Sequence, residues 1–111
     1  MLTENLMHKW YNLKRETLRT HRSHSPALTS ALSSFGVNKE LTEYESIHKL
    51  NFITIENKWD FKFDCWLDIV EKNISMYKPS QLDTIINNFA NKFYNDIIKE
   101  FPKKELILNE E

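Results

Sequence analysis

The sequence predicts a predominantly helical α+β domain, about five helices with one short β-hairpin near residues 52–63, and three observations lead there. Apolar residues recur at spacings of three and four over most of the chain, as on the buried stripe of an amphipathic helix. Between Lys58 and Cys65 the pattern changes: Trp59, Phe61, Phe63 and Cys65 alternate with Lys58, Asp60, Lys62 and Asp64, the template of a half-buried strand. The chain also holds one glycine, Gly36, so Gly-rich phosphate loops, dinucleotide fingerprints and nucleophile elbows cannot be built. An all-α bundle is the alternative, because Trp59, Phe63, Trp66, Val70 and Tyr77 also fit one helical stripe.

Taken in order, Leu6, Met7, Trp10, Tyr11, Leu13 and Leu18 define a first helix from Thr3 to about Arg22. Ser25 can cap and Pro26 can open a second helix carrying Leu28, Ala31, Leu32 and Phe35, with Gly36 at its left-handed C-terminal cap. Leu41, Tyr44, Ile47 and His48 suggest a third helix from about Asn38 to Lys49. The hairpin then pairs Phe52–Ile55 with Trp59–Phe63 across a polar Glu56-Asn57-Lys58 turn, since a helix would leave Phe61 on its wet side. A fourth helix runs from about Asp64 to Tyr77 and stops at Pro79. Ser80 and Asp83 form a capping box for a fifth, whose stripe runs Leu82, Ile85, Ile86, Phe89, Phe93, Ile97, Phe101 before Pro102. Residues 1–111 form a single domain, with a tail at 103–111 free to dock or fray.

Composition narrows the function classes. A net charge of -1 gives no global attraction to nucleic acid or to an anionic membrane, so any such affinity must be local. The lone cysteine, Cys65, forbids an internal disulfide or a Cys-rich zinc site. The first residues lack a signal-peptide profile and no apolar run is long enough to span a bilayer, so a cytoplasmic location and no membrane partner are expected.

Positive charge concentrates early, where Lys14, Arg15, Arg19 and Arg22 share one flank of the first helix and would form an exposed phosphate-facing surface. An ordinary solvated face, with cations complementing the helix C-terminus, ranks above that reading. Gly36-Val37 sits where a helix-turn-helix would turn, but Glu40, Glu43 and Glu45 would repel phosphates on the recognition helix. Arg19 and His24 have four residues between them and Arg15 and His21 five, spacings that resemble the Arg-x4-6-His motif of the HEPN ribonucleases. The resemblance covers those few residues and implies an imidazole for proton transfer beside a guanidinium for phosphorane charge. His21 and His24 have a ligand spacing, but neighbouring Arg19 and Arg22 would repel a cation, and Glu45 with His48 lacks the further ligands a di-iron site needs, so no metal and no cofactor are expected. Asp60, Asp64, Asp68 and Glu71 would form an acidic ridge if that region were helical throughout, with Lys58, Lys62 and Lys72 interleaved as ion-pair partners.

Trp10, Trp59 and Trp66 exceed what a minimal core demands, and tryptophan anchors interfaces. The expected function is therefore non-catalytic binding of another macromolecule, first of all a protein, as an inhibitor, immunity-type partner or accessory subunit. Its recognition surface would lie on the hairpin, at Trp59, Asp60, Lys62 and Asp64. The alternative is a nucleic-acid-binding regulator using Lys14, Arg15, Arg19 and Arg22, and the third reading a HEPN-like ribonuclease. A homodimer also fits.

Overall fold

The computed structural model describes residues 2–33 and 40–103, and the regular secondary structure within them is helical, with no strand. The helices are α1 (Leu2–Arg22), α2 (Pro26–Ser33), α3 (Glu43–Lys72) and α4 (Pro79–Glu100), with a 3₁₀ turn at Ile74–Met76. This corrects the α+β expectation. The expected third helix from Glu43 on, the hairpin and the fourth helix up to Lys72 are one uninterrupted α3 of 30 residues, about 45 Å long at 1.5 Å per residue.

Physical reasons favour the helix. The Glu56-Asn57-Lys58 segment holds no glycine for the primed turns that match strand twist, and an isolated two-stranded hairpin is marginal in water. The helical register, by contrast, buries Phe52, Trp59, Phe63, Leu67 and Val70 together. Its cost is Phe61, left 69% exposed; the forgone burial is worth about 1.5–3 kcal/mol. Continuity of backbone hydrogen bonds over eight turns and five buried apolar side chains outweigh that one ring.

The ends are set locally. Ser25 caps α2 as expected, its Oγ accepting from the Leu28 amide at 3.2 Å, with Pro26 opening the helix. At the head of α3 a reciprocal capping box forms: the Glu45 amide donates to Thr42 Oγ1 (3.1 Å) and the Thr42 amide to Glu45 Oε1 (3.0 Å). Helix α4 does not use the expected Ser80–Asp83 box. The Lys78 amide instead donates to Gln81 Oε1 at 2.8 Å, and Asp83 is ion-paired with Lys9. The cap expected at Gly36 and the tail beyond Lys103 lie outside the described residues; the third helix, expected from about Asn38, begins only at Glu43, with residues 40–42 non-helical and Thr42 as its N-cap.

Side-chain pairs fix the directions. Trp59 meets Asp96 and Asn51 meets Glu100, so α3 and α4 are antiparallel. Trp10 and Lys14 meet Asp60, and Lys14 also Glu56, so α1 is antiparallel to α3. Helix α1 therefore runs parallel to α4, with Lys9 near Asp83 and His21 against Phe101. The short α2 packs across α3 and α1 at the end where α1 finishes. Between the long helices lies an aromatic cluster: Trp10 stacks on Phe63 with centroids 5.1 Å apart, and Phe89 meets Trp10, Trp59, Phe63 and Trp66 at 5.7–6.3 Å.

Candidate functional site

The residues expected at a recognition surface divide. Trp59 is buried and its indole Nε1 donates to Asp96 Oδ2 at 2.6 Å. Asp60 faces α1 and accepts from Trp10 Nε1 (2.9 Å) and Lys14 Nζ (2.6 Å). Lys62 folds its ammonium over the Trp59 ring, 4.7 Å from the centroid, with Lys58 at 5.1 Å. Asp64, like Lys62, is exposed. On a hairpin the alternating charges would have pointed outward together; on a helix the same residues spread around half the circumference. The acidic ridge foreseen for a helical segment does form at Asp64, Asp68 and Glu71, all exposed, with Asp68 bonded to Lys72 at 3.1 Å.

All three tryptophans join the aromatic cluster, Trp10 and Trp59 buried and Trp66 half-buried. The two buried ones share a motif. Each indole N–H is met by an aspartate that a lysine also binds: Asp60 with Lys14, Asp96 with Lys58. Burial pushes the Asp96 carboxyl up, but the hydrogen bonds from Trp59 and Lys58 and the charges of Lys58 and Lys99 outweigh it and hold the group below its ordinary value of about 3.8.

The basic set divides as well. Lys14 is 6% exposed, ion-paired to Asp60 and to Glu56 at 3.2 Å, and lies 5.5 Å over the Trp10 ring, so it belongs to the α1–α3 contact and not to an exposed surface. Arg15, Arg19 and Arg22 remain outside and line one cleft of about 660 Å³ with Asn12, Glu16, Leu18 and Leu32, between α1 and α2. Arg19 is held by Glu16 through contacts of 2.7 and 2.8 Å.

That salt bridge also bears on the HEPN-type pair, for Arg19 is engaged with Glu16 and His24 stands exposed beyond the end of α1. His21 is fully buried, donating from Nε2 to the Phe101 carbonyl at 2.5 Å, so it ties α1 to the end of α4. No group of three or more His, Cys, Asp or Glu side chains able to hold a metal ion occurs among the described residues.

What the alternation concealed is the outer side of α3. Ile47, Leu50, Phe61 and Cys65 recur there at helical spacing, opposite the buried face, and the three large apolar residues among them are 51%, 64% and 69% exposed. The signal that could have located this stripe was in the sequence: Phe61 fits no helical core stripe that contains Trp59 and Phe63. No helix of the described residues is long and apolar enough to cross a membrane. Compared with known protein families, with curated proteins and with solved structures, the chain matches none.

Proposed function

We propose that the protein is a non-catalytic binding module that engages another protein through the outer side of α3. The observation that carries this reading is Phe61, a phenylalanine with more than two thirds of its surface in water, in line with Leu50 and Ile47 on a rigid helix. Exposed apolar side chains scattered singly are ordinary; aligned ones on one helix face are what a partner helix or groove buries. Thr54 and Asn57, at the centre of the stripe, and Asp68 beyond Cys65 supply polar atoms around it, as at the rims of protein interfaces. Because these side chains point away from the core, the surface can be altered without unfolding the domain.

The test compares the parent with Phe61→Glu and Leu50→Glu. Proteins captured from cells of the source organism are quantified by mass spectrometry, and self-association is followed by light scattering. A partner held through this stripe loses affinity by about 30-fold or more for each substitution, as expected for an interface anchor worth about 2 kcal/mol or more. Thermal midpoints should stay within a few degrees of the parent. Loss of self-association in the variants identifies the occupant as a second copy. If both variants capture the same partners as the parent and associate equally, the recognition surface is not on α3.

A further inference from the structure

The cleft between α1 and α2 is independent of the α3 stripe, and its chemistry is different. We infer that it binds the phosphate of a nucleotide, with the base against its apolar floor. Arg15, Arg19 and Arg22 occur at four- and three-residue steps and so project from one side of α1, while Leu18 and Leu32, half-buried, form the floor. Guanidinium groups bind phosphate through paired, charge-assisted N–H donors, and their planes stack on bases. The volume of about 660 Å³ falls within the roughly 300–1,000 Å³ of small-ligand sites.

Helix-end electrostatics does not account for the arrangement. Cations complement the negative helix terminus only within its last turn; Arg19 and Arg22 lie there, Arg15 nearly two turns before the end. The Arg22 carbonyl already receives the Thr29 hydroxyl at 2.7 Å, and the His21 carbonyl the His24 amide at 2.9 Å, so these orphan acceptors are satisfied without guanidinium. Among the described residues that line the cleft, three guanidiniums stand against one carboxylate. Glu16 pairs with Arg19, while Arg15 packs on the Tyr11 ring, 5.5 Å from the centroid, and lines the cleft. Glu16 thus engages Arg19 and would compete with an incoming phosphate.

That competition distinguishes the site from a merely basic surface. Binding of a fluorescein-labelled short single-stranded RNA is followed by anisotropy and binding of ATP by calorimetry, each over a range of salt, with oligo-glutamate as the anionic control. Arg15→Ala and Arg22→Ala should each weaken nucleotide binding about tenfold and reduce the RNA salt slope by about 0.7 per lost phosphate contact. Glu16→Gln should strengthen it several-fold. Melting curves should be unchanged in all three variants, whose side chains are exposed. Binding of ATP alone assigns the site to free nucleotides, and tighter binding of RNA assigns it to polynucleotide. Binding of neither probe, equal binding of oligo-glutamate, or affinity unaffected by the arginine substitutions overturns the inference.

Discussion

Two aspartates, each bound by an indole N–H and an ammonium, show how this protein keeps polar atoms inside an aromatic core. Tryptophan brings the largest apolar surface of any side chain, but its N–H needs an acceptor when buried. Asp60 supplies one for Trp10 and Asp96 for Trp59, and the paired lysine offsets each carboxylate's charge. The Asp96 group has a pH consequence. Its folded-state pKa lies below the ordinary value of about 3.8, so the stabilisation it gives is complete above about pH 4 and is lost as pH falls through the depressed folded value. Asp96→Asn should therefore cost about 1–2 kcal/mol at neutral pH, the order expected for hydrogen bonds to a charged group partly open to solvent. The penalty should shrink as pH falls below about 4. Urea denaturation of parent and variant between pH 7 and pH 2 checks this; a penalty independent of pH would show that the charge contributes nothing.

At the scale of elements, the helices of both termini were legible because each carries apolar residues at helical spacing and its own stop, Ser25-Pro26 after α1 and Pro102 after α4, although Met7 and Tyr11, read into the first stripe, are exposed. The middle was not. Alternation of Trp59, Phe61 and Phe63 is a period-two signal, yet Trp59 and Phe63 are also four apart, and which period rules depends on what else is buried with them. Phe52, Leu67 and Val70 decide it, and they lie outside the alternating segment. The expected binding residues failed for the same reason: Lys14 and Asp60 read as surface charges until α1 and α3 are placed face to face. Asn57→Pro separates the two architectures. In a hairpin it would fall in the turn, where proline is tolerated; in α3 it sits near the middle of 30 helical residues, where the lost hydrogen bond and the ring clash cost about 3 kcal/mol or more. We expect a lower urea midpoint and loss of helical ellipticity around the break. A variant as stable as the parent would restore the hairpin.

Across the whole molecule, α3 is the element that every other helix touches, α4 along its aromatic side, α2 across it, and α1 through Trp10, Lys14 and Phe63. Phe63 sits where these contacts meet: 1% exposed, stacked on Trp10, and within 5.7 Å of Phe89 and 5.4 Å of Trp66. Unpacking any long helix exposes part of this cluster, so the helices should lose their structure together. Phe63→Ala removes the ring they share and should cost about 3–5 kcal/mol, a large part of the 5–15 kcal/mol typical of a domain. The tryptophans report the cluster by fluorescence, while far-ultraviolet circular dichroism reports the helices. In urea the two signals should change at one midpoint for the parent, and at one lower midpoint for Phe63→Ala. If fluorescence changes well before ellipticity in the parent, α1 separates from the α3–α4 pair on its own. The cleft that α1 forms with α2 would then be opened by a motion that leaves the stripe on α3 in place.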